Sequence, residues 1–206
     1  MKNKILDKFI SLIKKYYDYD DIKLQEIRYG LESLYLSIFK IIVIIIISFF
    51  IHTTKELCAF FLSYGLLRIT AFGLHTKKSI ECWFLSLTSF SLIPFLIKTV
   101  HINNNLLIIL SLVSIIIISI YAPADTEKRP LINRNKRIIY KIISITISLI
   151  YTFIILMKIN NYINNLLIFS LLLESLLILP ISYRLLGLKY NNYKHYKGRR
   201  DKRWNY

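Results

Sequence analysis

Two side chains that could carry out nucleophilic chemistry lie seven positions apart in an otherwise apolar region. His75 and Cys82 fall in a stretch that also contains Gly73, Lys77 and Lys78. An imidazole that removes a thiol proton leaves a thiolate, which attacks carbonyl carbon effectively. On one continuous helix, a spacing of seven would leave the two side chains roughly 10 Å apart, too far for proton transfer. The pair can therefore cooperate only if the chain bends between them.

The residues around the pair permit such a bend and favour a reactive thiol. Gly73 allows an unusual backbone turn, and Ser79 is a good N-cap for a helix that begins at Ile80. Cys82 then lies in the first helical turn, where the helix dipole and nearby cations lower a cysteine pKa from about 8.5 toward neutrality. The plain alternative makes Cys82 a small apolar residue at a helix start and His75 a solvated loop residue. Spacing alone favours that alternative.

The composition of the whole chain is that of a membrane protein. Of its 206 residues, 55% are hydrophobic, which is more than a soluble core of this size can bury. There are 28 Lys and Arg against 12 Asp and Glu, and this excess suits anionic lipid headgroups. No basic stretch belongs to a recognisable nucleic-acid-binding fold, so nucleic acid is not expected as a partner. Two cysteines exclude a disulfide framework, and without CxxC or HExxH motifs we expect no metal and no other cofactor.

Six apolar segments predict an all-α protein with six transmembrane helices. Each is close to the roughly 20 residues needed to cross the hydrocarbon core. They cover residues 33–51, 57–73, 80–97, 105–122, 138–157 and 162–182. The second is the weakest, because Arg68 interrupts it. Residues 1–17 carry apolar side chains at helical spacing, which predicts an amphipathic helix lying in the membrane interface.

The distribution of basic residues predicts the orientation of these spans. With the N-terminus inside, 23 of the 28 Lys and Arg fall in cytoplasmic segments and 3 in outside loops, as the positive-inside rule requires. We therefore expect one multi-pass domain over 1–206 in the cell membrane, with both termini and the His75 and Cys82 site cytoplasmic. Its parts are an interfacial segment at 1–32, a six-span bundle at 33–182, and a basic tail at 183–206 that anchors on the anionic inner leaflet.

Several charged residues need partners if these segments lie in a membrane. For Lys40 snorkelling to the interface is expected, and for Glu174 an interhelical pair or a protonated carboxyl. Glu32 and Arg68 fall near the predicted layer of His75.

A second loop could close over a site at this level. It runs from Tyr121 to Pro130, and two prolines bracket an acidic and then basic run, which makes the loop stiff. Glu32, Glu81 and Asp125 are each possible orienters of His75, and the sequence does not choose among them.

These motifs together resemble the accessory gene regulator B family (AgrB). The chain shows R-x6-H-x6-C from Arg68 through His75 to Cys82, followed by Ser86 and by an APAD-x3-RP loop at 122–130. Both the order of the motifs and the basic six-span architecture match, and the resemblance covers essentially the whole chain.

The resemblance implies a membrane cysteine endopeptidase that trims an AgrD-like propeptide of a bacterial quorum-sensing signal. It implies His75 as the base and Cys82 as the nucleophile, with supporting or substrate-binding roles for Glu32, Arg68, Lys128 and Arg129. It further implies that a propeptide cysteine closes a thiolactone ring, and that the protein forms a homodimer. The competing hypothesis is a small transporter or lipid-binding membrane protein in which Cys82 has no chemical role.

Overall fold

The computed structural model describes residues 2–76, 79–127 and 130–195, in which helices joined by short loops make up most of the chain. This confirms the predicted all-α class. The helices of the described part are α1 (Lys2–Tyr16), α2 (Asp21–Phe50), α3 (Thr54–Ala71), α4 (Ser79–Thr99), α5 (Asn104–Tyr121), α6 (Arg134–Leu156), α7 (Asn161–Ile178), α8 (Pro180–Leu185) and α9 (Asn192–His195).

The chain divides into two compact units, Met1–Phe50 and Ile51–Tyr206. The first consists of α1 and α2, which pack together and are joined by an ion pair between Asp7 and Arg28 at 2.8 Å. The predicted amphipathic segment is confirmed as helix α1. However, α2 begins at Asp21, well before the span predicted to start at 33, because Asp20 accepts a hydrogen bond from the Lys23 amide and caps the helix.

Five of the helices are long and apolar enough to cross a membrane, namely α2, α4 from Ile80 onward, α5, α6 and α7. The chain is accordingly a multi-pass membrane protein. The remaining predicted span corresponds to α3, which falls outside this group because Lys55, Glu56 and Arg68 lie within its 18 residues. It was also the weakest of the six predicted segments.

Helix α3 lies inside the second unit, where it packs against α4, α6 and α7. The side of α3 that packs against these helices meets protein instead of lipid and tolerates charges that a lipid-facing surface would not, whereas Leu62 and Ile69 on its other side are exposed. Small polar residues hold it there. The Ser63 and Ser170 hydroxyls lie 2.7 Å apart, and the Tyr151 hydroxyl donates to the Ser63 carbonyl at 2.8 Å. Such interhelical hydrogen bonds are typical of membrane bundles.

At one end of this unit, several chain segments meet and position the candidate site. Helix α3 ends at Ala71, α5 ends at Tyr121 and α7 ends at Ile178. The segments that follow them are joined by a parallel β-bridge between Phe72 and Ala124. Ala124 is buried, as is Tyr183 of α8. The prediction of one membrane domain over 1–206 concerns how the two units act in a bilayer, and it stays a prediction.

Candidate active site

His75 and Cys82 lie side by side, on different elements of the chain. The His75 Nδ1 and Cys82 Sγ atoms are 3.9 Å apart. Helix α3 ends before His75, and α4 begins at Ser79, so the two residues do not share a helix. The bend that the sequence required is therefore present. His75 is exposed and Cys82 half-buried, so a substrate can reach the pair.

Cys82 lies in the first turn of α4, as predicted from the sequence. The helix starts at Ser79, one residue earlier than expected. The first turn of a helix presents partial positive charge, which stabilises a thiolate. The other cysteine, Cys58, is exposed on α3, and the two cysteines form no disulfide bond. Cys58 therefore serves as an internal control for thiol chemistry.

The turn before His75 depends on backbone geometry that favours glycine. Phe72 has φ of 63° and Gly73 φ of 101°, both in the left-handed region. A Cβ atom at Gly73 would overlap the guanidinium of Arg68 and lie 3.2 Å from the Leu177 carbonyl oxygen. Only glycine fits both the conformation and the space.

Backbone hydrogen bonds fix this turn on two sides. The Gly73 amide donates to the Ala124 carbonyl at 2.8 Å, and the Leu74 amide donates to the Leu177 carbonyl at 3.0 Å. The Ala124 amide in turn donates to the Ala71 carbonyl at 2.9 Å. The residues before His75 are thereby tied both to the loop after α5 and to the end of α7.

The Arg68 side chain donates hydrogen bonds to the same turn. Its Nη2 donates to the Leu74 carbonyl at 2.6 Å and to the Gly73 carbonyl at 3.4 Å. Its Nη1 lies 3.8 Å from Oε2 of Glu174, whose side chain is fully buried. This interhelical pair was one of the two alternatives that the sequence left open for Glu174. In this structure the guanidinium contacts its own loop and α7, which makes Arg68 a positioning residue.

The loop after α5 is held by a buried carboxylate. Asp125 is 2% exposed, and its oxygens accept hydrogen bonds from three backbone amides, those of Leu131 at 3.3 Å, Asn192 at 2.9 Å and Tyr193 at 2.7 Å. The carboxylate thus joins the loop to the C-terminal segment. With its oxygens engaged in this way, Asp125 is an anchor of the loop and not an orienter of His75.

We expect Asp125→Asn to release the C-terminal segment. The amide offers one acceptor oxygen where the carboxylate offers two charged ones, and each hydrogen bond to a charged group is worth about 1.5–3 kcal/mol. Hydrogen exchange at the Asn192 and Tyr193 amides should accelerate roughly 10- to 100-fold. The matched control is Asp18→Asn, which removes the same charge from an exposed position. Unchanged exchange at both amides in Asp125→Asn would show that the carboxylate does not hold the segment.

A cavity of about 310 Å³ adjoins the imidazole. It is lined by His75, Thr76, Thr126, Glu127, Tyr183, Leu188 and Lys189. The Tyr183 hydroxyl donates to the carbonyls of Ala124 at 3.3 Å and Asp125 at 3.2 Å. Burial raises the pKa of Tyr183 above its ordinary value, so the hydroxyl keeps the proton that it donates. Tyr183 thereby joins α8 to the loop after α5 on this side of the cavity.

The sequence did not predict the part that the C-terminal segment plays. The basic residues of 183–206 indicate a lipid anchor, yet Tyr183, Leu188 and Lys189 line the cavity beside His75. The sequence holds only a weak signal that this segment packs against the bundle. Leu186 and Leu188 interrupt the basic pattern and pack against the buried core.

The structure does not test the roles predicted for Glu32, Lys128 and Arg129. Lys128 and Arg129 lie outside the described residues. Glu32 belongs to the first compact unit, where it lies within helix α2 directly ahead of the apolar stretch at 33–50. Their supporting roles stay predictions. Within residues 2–76, 79–127 and 130–195, no group of three or more His, Cys, Asp or Glu side chains could hold a metal ion.

Comparisons with known proteins point to one family. The family model for accessory gene regulator B matches residues 6–178. A putative AgrB-like protein of Clostridium acetobutylicum is 28% identical over 200 residues, covering 95% of this chain and 96% of the relative. Accessory gene regulator protein B of Staphylococcus aureus strain JH9 is 34% identical over 185 residues, covering 88% of this chain and 95% of the relative.

The Staphylococcus epidermidis protein of the same name is 30% identical over 182 residues, covering 88% of this chain and 92% of the relative. No solved structure matches the chain with significant similarity. The family match extends across α3, α4 and α5 and so includes both His75 and Cys82. On the length of the match and the identity to these relatives, the chain belongs to the accessory gene regulator B family.

Proposed function

We propose that this protein is a membrane cysteine endopeptidase that cleaves an AgrD-like propeptide in a quorum-sensing system. His75 is the general base and Cys82 the nucleophile. The observation that carries the proposal is the 3.9 Å separation of the His75 Nδ1 and Cys82 Sγ atoms in a chain with few other candidates for such chemistry. A catalytic contact of this length tightens when substrate binds.

The first chemical step transfers one proton and forms one bond. Nδ1 accepts the thiol proton, which requires the tautomer of His75 that carries its other proton on Nε2. The thiolate sulfur then adds to a peptide carbonyl near the C-terminus of the propeptide. As the C–N bond breaks, the imidazolium returns the proton to the leaving amine, and the N-terminal part stays on Cys82 as a thioester.

In the second step, the group that attacks the thioester is a thiol within the propeptide and not water. Its sulfur adds to the thioester carbonyl as its proton passes to His75. The Cys82 thiolate then leaves and takes up that proton, and the product is a thiolactone. One thioester is exchanged for another, so the step is nearly isoenergetic and the outcome depends on rates. Cyclisation exceeds hydrolysis only where the internal thiol is held close and water is scarce.

The cavity beside His75 supports this requirement. Its volume of about 310 Å³ is at the lower end of the range for small-ligand sites and suits a few residues of a peptide. Its wall combines Leu188 with the oppositely charged Glu127 and Lys189. Such a site can hold a folded-back peptide and exclude part of the solvent.

We further propose the arrangement of the site in the membrane. The His75 and Cys82 end of the bundle faces the cytoplasm with both termini, as the basic residues predict. Glu32, Lys128 and Arg129 help to bind the propeptide, whose C-terminal part then carries acidic residues. The protein acts as a homodimer in a bilayer whose inner leaflet is anionic.

The proposal is tested by following a tagged candidate propeptide in membranes that contain the parent protein, Cys82→Ala or Cys58→Ala. The parent and Cys58→Ala should trim the propeptide and carry a hydroxylamine-sensitive adduct, as detected by gel and mass spectrometry. Cys82→Ala should do neither. Trimming at the parental rate by Cys82→Ala would refute the peptidase and favour a transporter or lipid-binding protein.

A further inference from the structure

A second cavity lies at the same end of the bundle, apart from His75 and Cys82. Its volume is about 480 Å³. Its wall includes three cations from α6, three tyrosines and several apolar side chains, and it shares no residue with the cavity beside His75. Nothing in the peptidase mechanism uses it.

The three cations lie on one face of α6. Arg134, Arg137 and Lys141 are spaced three and four residues apart, which places their side chains in one row along the helix. Lys141 lies about 10 Å further along the helix axis than Arg134. Because α6 is a candidate membrane span, a half-buried lysine at that depth needs an anionic partner at the membrane interface.

One of these cations is already held in position. The Arg137 guanidinium carbon lies 3.3 Å from the centre of the Tyr193 ring. Stacking covers the guanidinium face and leaves its in-plane N–H groups directed sideways, the geometry that binds phosphate oxygens. Tyr121 and Tyr190, which are packed edge to face, also line the cavity. The Tyr190 hydroxyl donates to the Tyr121 carbonyl at 3.4 Å, and the Tyr121 hydroxyl can donate to a ligand.

The apolar side of the cavity opens onto the lipid-facing surface. Ile120 and Ile138 line it and are 60% and 48% exposed. Ile116 and Ile142, one turn further into the bundle on α5 and α6, are exposed as well. These side chains continue the same helix faces away from the cations, since residues four apart lie on one face. A water-soluble anion would leave this apolar strip uncovered.

We propose that this cavity binds the headgroup of a diacyl anionic phospholipid. Arg134, Arg137 and Lys141 contact the phosphate, the Tyr121 hydroxyl donates to a headgroup oxygen, and the acyl chains lie along the exposed isoleucines of α5 and α6. A basic pocket between membrane helices that continues into an apolar groove has this chemistry. The lipid joins α5 and α6 to the C-terminal segment that carries Tyr190 and Tyr193.

The test uses the purified, delipidated full-length chain and native mass spectrometry with added dioleoyl phosphatidylglycerol. Arg137→Gln/Lys141→Gln should bind this lipid about 30-fold more weakly than the parent, and Arg134→Gln about fivefold more weakly, at about 1 kcal/mol per cation. Lys136→Gln/Lys158→Gln removes the same charge from exposed positions outside the cavity and should bind like the parent. Arg134 is exposed, so its variant reports on binding if the double variant fails to fold.

Competition identifies the source of the anion. Inorganic phosphate and a hexaglutamate peptide, each at millimolar concentration, should not displace phosphatidylglycerol from the parent protein. Displacement by phosphate would show a site for a free anion, and displacement by hexaglutamate would show a site for an acidic peptide. Either result, or equal lipid binding by Arg134→Gln and the Lys136→Gln/Lys158→Gln control, would overturn the proposal.

Discussion

His75→Ala should lower the rate of thioester formation on Cys82 by about 100- to 10,000-fold near neutral pH, the usual contribution of a general base. Nδ1 of His75 lies 3.9 Å from the thiol, within reach for proton transfer once the contact tightens. The expected loss is of activity and not of folding, because the His75 ring is exposed and its removal opens no cavity in the core.

The same variant should regain activity as the pH rises. An ordinary cysteine ionises with a pKa near 8.5, so alkaline solution supplies the thiolate that the missing base no longer produces. The measurement is single-turnover adduct formation in proteoliposomes, from about pH 6.5 to about pH 9. The parent should show a flatter profile over this range, and His75→Ala should approach it at the alkaline end.

Two variants are controls for the site of adduct formation. Cys82→Ala should form no adduct at any pH, and Cys58→Ala should follow the parent throughout. If His75→Ala were equally slow at every pH, His75 would act on substrate or on loop geometry and not as the base. If it were as fast as the parent at neutral pH, the dyad would be refuted.

The sequence offered His75 and Cys82 as a candidate pair through local signals. A glycine before the histidine and a helix start just ahead of the cysteine are readable within a dozen residues and permit a bend, and the family resemblance then favoured the dyad over a pair without a chemical role. The helices were equally readable, since each is an apolar run of nearly constant length. The exception was α3, whose place inside the bundle lets it carry Arg68 and two further charges near its start.

The sequence could not show what holds the dyad in place. Asp125 is fixed by backbone amides of the C-terminal segment, more than sixty residues away, and any residue except proline supplies such an amide. The Phe72 and Ala124 bridge is likewise a backbone contact. Interactions of this kind leave no pattern in side-chain types. The tail was therefore interpreted by its basic residues alone, and its part in the cavity beside His75 was missed.

The contact between Arg68 and Glu174 could be predicted only in part. Both residues stand out in the sequence as charges that are costly in a membrane, but they are 106 positions apart. Glu174 is fully buried, and its carboxylate faces the charged Arg68 guanidinium and the Tyr64 hydroxyl. The guanidinium at 3.8 Å is therefore its main compensation, and Arg68→Ala leaves the charge uncompensated. Removing one partner of a buried pair costs about 3–5 kcal/mol. We expect the apparent melting temperature of Arg68→Ala to fall by roughly 10 °C.

Arg68 also donates to the Leu74 and Gly73 carbonyls, and this second role can be separated from the first. Adding Glu174→Gln to Arg68→Ala removes the uncompensated charge, so the melting temperature should return most of the way to that of the parent. Adduct formation should stay low, because the turn that positions His75 still lacks its donor. Arg68→Lys keeps a positive charge near Glu174 but loses the planar fork, and it should be stable yet slow.

Melting temperature, kcat and KM for propeptide trimming distinguish the possible roles of Arg68 in this set of variants. A fall in kcat that persists in the stable double variant supports positioning of the turn before His75. Recovery of kcat together with stability would mean that Arg68 contributes only by neutralising Glu174. A rise in KM with unchanged kcat would instead place the guanidinium in contact with the propeptide, because an interaction equally strong in ground and transition states changes binding alone.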